Sequence, residues 1–182
     1  MNIWSRINLI HNSHHFGGFL MATIMKVLVL ILPFSFLLHC FEEFYFPGGF
    51  IDWYHTFRPS LSKQKPRYYI KVNIIAFLIV SIISISVFFL GTSYNSFLIA
   101  STFLAANAFF THILGAIHTK RYSPGMITGA LLYIPICVLA YIFSFLSGTL
   151  LISDIIPDLI LGSLYELWNI YKYKKRSKII HK

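Results

Sequence analysis

The chain has 182 residues, 57% of them hydrophobic and only 12% charged, whereas a soluble domain carries about a quarter charged residues. This composition excludes an ordinary soluble globule and points to an integral membrane protein. The formal net charge of +9 does not signal nucleic acid, because the basic residues sit in connections and in the tail, between apolar runs.

Apolar runs of about 20 residues mark membrane-crossing helices. In chain order they are expected at 22–46, 72–90, 97–117, 126–146 and 149–171. No low-complexity linker divides them, so the expectation is a single all-α domain over residues 1–182, a polytopic transmembrane helix bundle of about five spans. Ahead of the first run, His11, His14 and His15 have the i, i+3, i+4 spacing of a surface metal site. The neighbouring Asn12-Ser13 and Gly17-Gly18 favour a loop or frayed interfacial helix there. The first run is too long for a signal-peptide core and has no small-x-small cleavage site after it, so it reads as a retained anchor.

That first span ends in His39-Cys40-Phe41-Glu42-Glu43. Ionisable groups at membrane depth cost several kcal/mol and are kept for a job. At roughly 100° per residue, His39, Glu42 and Glu43 fall within one arc of a helix. Cys40 and Cys137 both lie in apolar runs and form no CxxC pair, so they read as packing residues. The following connection holds His55 and joins an aromatic belt expected at the interface, including Trp53, Tyr54, Tyr68 and Tyr69.

The second run is aliphatic and serine-rich and should face lipid. In the third, Asn107, Thr111 and His118 lie on one stripe, while His112 points roughly 120–140° away. His112 falls on a face of small residues, Ala105, Ala108, Gly115 and Ala116, which admit a neighbouring helix closely. Of the two histidines, His112 is therefore expected to look toward the first span. The fifth run is interrupted by Asp154, Pro157, Asp158 and Glu166. A membrane-dipping helix there would leave four spans. Asp154 and Asp158 read as a wetted helix entrance, or as an entry path for a cation or proton.

Basic residues orient the spans. Only Arg6 and Lys26 lie on one side, and thirteen lie on the other, among them Arg58, Lys63, Lys71, Lys120 and the Lys172-to-Lys182 cluster. This asymmetry places the N-terminus outside and the C-terminus in the cytoplasm of an inner or plasma membrane. The tail also attracts anionic lipid. With that orientation His39, Glu42, Glu43, His112, His118 and Glu166 all arrive at the cytoplasmic leaflet.

Neutral imidazole and carboxylate are ligands of zinc, iron and manganese, and bundle helices present them inward at three- and four-residue spacings. His39, Glu42, Glu43, His112 and His118 are the candidate metal ligands. Glu42, Glu43 and Asn107 are the candidate catalytic or orienting groups of an enzyme acting on a lipid-like or apolar substrate. Three alternatives stand beside this. A Glu–His pair can move a proton without metal, the same cluster can serve a carrier or ligand-binding protein, and it can simply hold the bundle together.

Set side by side, these residues resemble the HXXEE family of small multi-pass membrane proteins. The name-giving motif is His39-Cys40-Phe41-Glu42-Glu43, and Asn107-Ala-Phe-Phe-Thr-His112 with Lys120-Arg-Tyr-Ser-Pro-Gly125 and Thr128 is similar to the family's second block. The resemblance implies His39, Glu42, Glu43, Asn107 and His112 as the functional set and carries no reaction with it. His118 and Glu166 come from geometry alone. Tyr122-Ser-Pro-Gly125 reads as a turn with Pro124 at or near a helix start. A looser likeness is to the sterol-isomerase type of fold, the emopamil-binding protein class. There a His and Glu four apart on one helix line a small bundle, as His39 and Glu43 do.

Overall fold

The computed structural model describes the backbone of residues 3–180 and the side chains of residues 20–175. His11, His14 and His15, and the end of the basic tail, lie outside the described side chains. The helices are α1 (Ile3–Phe44), α2 (Phe50–Phe57), α3 (Pro66–Leu90), α4 (Tyr94–Thr119), α5 (Met126–Leu146) and α6 (Ile152–Ile180). No strand occurs among the described residues.

Four segments are long and apolar enough to cross a membrane: Leu20–Phe44 of α1, then α3, α4 and α5. Their outward faces carry large apolar side chains such as Phe34, Ile82, Phe89, Ile117 and Leu131, all more than half exposed. A water-facing surface does not tolerate such continuous apolar area, whereas lipid does. The inward stripe of α1, Met25, Leu28, Val29, Leu32 and Phe36, repeats at three and four residues. It packs against Phe97, Leu98 and Leu104 of α4 and Tyr133, Ile136 and Ala140 of α5.

The chain reverses after α1 through Gly48 and Gly49, both at positive φ. α3 begins at Pro66, where a missing N–H costs nothing, and therefore starts before the apolar run that opens at Val72. α6 is interrupted by Asp154, Pro157, Asp158 and Glu166 and is not among the four long apolar helices. It packs lengthwise on α4, and a Cβ on Gly162 would lie 2.5 Å from Thr102 Cβ. Only a glycine lets the two helices approach that closely. Asp158 is buried against this bundle, so it is not a wetted entrance residue.

Two π-helical turns shape the interior, Ala108–Ile113 in α4 and Gly129–Tyr133 in α5. They meet where a Cβ on Gly129 would come within 2.8 Å of Ala108 Cβ. The α5 turn ends just before Pro135, whose ring would clash with the Leu131 carbonyl in a regular helix. The widened turn relieves that clash. Such turns insert one residue into the helical phase, and this decides which side chains of α4 reach the site.

Candidate functional site

The site forms where the C-terminal end of α1, the C-terminal half of α4 and the start of α5 converge. His39 and Glu43 are four apart and share a face of α1. His39 Nε2 stands 3.4 Å from Glu43 Oε1, and His112 Nε2 comes from α4 to within 3.3 Å of the same oxygen. The imidazole rings meet edge to face with centroids 4.8 Å apart. All three residues are buried, His112 completely, and their ligating atoms lie within 4.8 Å of one another.

Each imidazole is steered by a hydroxyl on its other nitrogen. His39 Nδ1 is 2.9 Å from Thr128 Oγ1, and the Thr128 hydroxyl donates to Glu42 Oε2. An ionised carboxylate only accepts, so the Thr128 proton belongs to that bond. Thr128 Oγ1 must then accept from His39 Nδ1–H, which leaves the lone pair of a neutral ring on Nε2, facing Glu43. His112 Nδ1 is likewise 3.0 Å from the buried Ser123 Oγ. Neither His112 Nε2 nor Glu43 Oε2 has a hydrogen-bond partner among the described residues. Buried polar atoms without partners cost free energy.

Packing holds the rings in place. Trp53 lies parallel to the His112 ring at 6.1 Å, Phe50 packs at 5.5 Å, and Tyr133 lies 4.7 Å from His39. Trp53 can reach in because Gly115 beneath it has no Cβ; one added there would meet the indole at 2.7 Å. Helix α2 thus folds back over the site. Trp53 and Tyr54 are core residues of that cover, not members of an interfacial belt, and Tyr69 is buried with them. Tyr68 of the expected belt is exposed, as are Tyr45 and Phe46 just past the end of α1. His55, in the same helix, pairs with Tyr69 Oη at 3.0 Å.

Glu42 does not join His39 and Glu43. One residue of helix turns it about 100° away from Glu43, and its carboxylate spans the start of α5. It accepts from the Ile127 amide at 3.0 Å, the Thr128 amide at 2.7 Å, the Thr128 hydroxyl and the Tyr122 phenol. The helix N-terminus favours that negative charge and supplies free N–H groups. Partial burial and the Glu42 bond both raise the Tyr122 phenol above its ordinary range, keeping it a donor. Among the described residues, the side-chain link from Glu42 to the His39–Glu43–His112 cluster runs through Thr128.

His118 is also set apart. It is exposed and lies edge-on to Phe57. In an unbroken helix it would fall on the Asn107–Thr111 stripe. The π-helical turn between them rotates it off that stripe by about 100°. Asn107 and Thr111 face α6 instead, where Asn107 Nδ2 and Thr111 Oγ1 each donate to Glu166 at 3.1 Å.

A cavity of about 230 Å³ connects the two groups, with His39 and Glu43 in one part of its wall and Asn107, Thr111 and Glu166 in another. Four residues that matter here carried a signal that sequence reading did not convert into a role. Ser123, Gly125 and Thr128 sat in the second motif block, where they looked like turn chemistry. Arg58, counted as a loop cation, is buried beneath α6. Its mark was position, four residues after Tyr54 at the end of an aromatic helical face.

A bundle with four apolar crossing helices, closed around buried His and Glu at one end, defines a multi-pass membrane protein. The model of one family, described as "Protein of unknown function with HXXEE motif", matches residues 30–140, and the chain belongs to that family. No curated protein and no solved structure matches it.

Proposed function

We propose that the protein is a membrane-embedded, metal-dependent enzyme acting on a lipid-like or apolar substrate, with His39, Glu43 and His112 as its metal ligands. The observation that carries this reading is the meeting of two imidazole Nε2 atoms on one carboxylate oxygen at 3.3 and 3.4 Å. These two of the three donor separations match the about 3.3–3.4 Å between donors each about 2.0–2.1 Å from a zinc ion, and all three atoms lie within 4.8 Å of one another. Two histidines and one carboxylate, with room for a further ligand, are also the donor set of catalytic zinc and of non-haem iron, and manganese accepts the same types. The fixed Nε2 lone pair of His39 and the hydroxyls behind both rings are the outer-shell support that metal-binding histidines use.

A divalent ion held there would supply Lewis acidity at the cavity wall. The chain's own residues do the rest. Thr128 and Ser123 hold the imidazoles in register, Trp53 and Phe50 exclude water from His112, and Asn107 orients a ligand beside Glu166. The apolar stretch of the cavity, Phe36, Ala76, Phe103 and Leu104, suits a hydrocarbon substrate. Glu42 serves this reading as the anchor of Thr128, and His118 has no part in it.

Metal content tests the reading. Protein purified in detergent and analysed by elemental mass spectrometry should retain about one zinc, iron or manganese per chain. His39→Ala/Glu43→Ala should lose it, and His118→Ala should keep it. A folded chain that takes up none of the three metals on reconstitution sinks the metal reading. Activity in a metal-free protein would transfer the chemistry to proton exchange between Glu43 and its two histidines. Metal binding without turnover of any lipid would make the protein a carrier.

The site end of the bundle is proposed to face the cytoplasm of an inner or plasma membrane, on the strength of the basic asymmetry. Fluorescent-protein fusions at the C-terminus and in the exposed turn at Lys63 should both mature in the cytosol. Alkaline phosphatase activity at Lys63 would reverse this orientation.

A further inference from the structure

The cavity has a second polar end that a metal centre does not use. Arg58 is 3% exposed, and a buried guanidinium is costly unless it is paired and hydrogen-bonded. Its pairing is incomplete. Nη2 is 4.0 Å from Glu166 Oε2, beyond hydrogen-bond reach, whereas a closed arginine–carboxylate fork stands at about 2.7–2.9 Å. Both Glu166 oxygens already accept from Asn107 and Thr111. Among the described residues, the hydrogen bond that the Arg58 guanidinium does make runs from Nη1 to Tyr54 Oη, at 2.9 Å.

What positions the guanidinium is aromatic. Its central carbon lies 5.2 Å from the ring centres of both Tyr54 and Phe57 and 5.9 Å from that of Tyr173. Cation–π contacts hold the plane of the group while leaving its edge donors uncommitted. Burial pushes the Tyr54 phenol above its ordinary range, so it remains a neutral partner for Arg58. Arg58 and Lys172 both line the cavity with Glu166 beside Arg58, while the cavity's other carboxylate, Glu43, lies against His39 and His112. This end therefore carries one uncompensated positive charge and a planar fork of donors, which is the recognition chemistry of an oxyanion. The walls beyond it include Phe36, Ala76, Phe103 and Leu104.

We propose that Arg58, assisted by Lys172, binds the oxyanion headgroup, phosphate or carboxylate, of an amphiphile whose hydrocarbon part lies along those apolar walls. This names the substrate class of the proposed enzyme and rests on the cavity being its substrate site, but not on a metal being bound. An apolar molecule without charge would leave the Arg58 donors unmet, and a small free anion would leave the hydrophobic walls empty.

The test compares matched probes on the purified full chain in uncharged maltoside micelles, by thermophoresis and by shift of the unfolding temperature. Dodecyl phosphate and dodecanoate should bind at least about tenfold more tightly than dodecanol, a preference worth one good charge-assisted contact. Arg58→Gln should abolish the preference while dodecanol binding stays unchanged. Arg58→Gln/Glu166→Gln, which leaves no unpaired buried charge, is read in the same way where the single variant does not fold. His39→Ala/Glu43→Ala should keep the preference, so failure of the metal reading would leave this one standing. Equal binding of phosphate and alcohol, or an undiminished preference in a folded Arg58 variant, overturns the proposal. So does loss of the preference in His39→Ala/Glu43→Ala, which would put the anion at the histidines. Inorganic phosphate binding as tightly as dodecyl phosphate would make the ligand a free anion and overturn the amphiphile.

Discussion

Glu42→Ala should lower the unfolding temperature of the detergent-solubilised protein by roughly 10 °C, more than replacement of Glu43, His39 or His112 alone. The truncation strands four donors at once: the Tyr122 phenol, the Thr128 hydroxyl, and the amides of Ile127 and Thr128. A buried donor left without a partner costs about 1–3 kcal/mol. The two amides at the helix start and the phenol of Tyr122, which is 41% exposed, regain part of this from water, so a total of about 3–5 kcal/mol is expected. In a chain of this size each kcal/mol moves the transition by about 2–4 °C. Glu42→Gln should fall between, because its carbonyl oxygen still accepts while its amide group faces donors. The variant should also free Thr128 to donate to His39, scrambling the tautomer that presents Nε2 to Glu43. A shift of less than about 2 °C in Glu42→Ala would show that the four contacts do not clamp α1 to α5.

This role was out of reach of the motif itself. Spacing correctly places His39 and Glu43 on one face, because a helix repeats after four residues whatever surrounds it. It puts Glu42 in the same arc with equal ease, since an arc of 100° does not say which neighbour stands beside each edge. The partners of Glu42 arrive from Tyr122 to Thr128, and only the packed bundle brings them to α1. His112 could be favoured from sequence by the small residues around it, which describe a close helix seam. His118 could not be excluded, because the phase argument assumes an unbroken helix and α4 contains a π-helical turn. Arg58 was hidden for a different reason. Counting cations in connections treats them as solvated, and nothing local reveals that an aromatic helix will fold back beneath α6 and take the guanidinium with it. The apolar spans were legible because lipid imposes length and hydrophobicity directly. The polar interior was only partly legible, because its pairings are made between helices.

Gly125→Ala should disrupt the cluster even though none of its three side chains is replaced. Gly125 sits at φ +96, and a Cβ there would lie 2.6 Å from His112 Cε1 and 2.7 Å from His39 Cε1. Both rings are pinned from behind, by Ser123 and Thr128, and flanked by Trp53 and Tyr133, so neither can retreat without breaking a hydrogen bond. Two costs are therefore superposed, the left-handed backbone strain of about 1–2 kcal/mol and overpacking of about 1–3 kcal/mol. Gly91→Ala separates them. Gly91 also has positive φ, but an added Cβ would meet nothing within 4 Å, so it reports backbone strain alone. The expected result is a loss of about 1–2 kcal/mol in Gly91→Ala with metal retention unchanged. Gly125→Ala should lose roughly twice that stability, and retention of the metal proposed for the cluster should fall by at least about tenfold. Should the two variants lose the same stability and hold metal equally well, the rings have room to move, and the closeness of Gly125 is not what keeps His39 and His112 turned toward Glu43.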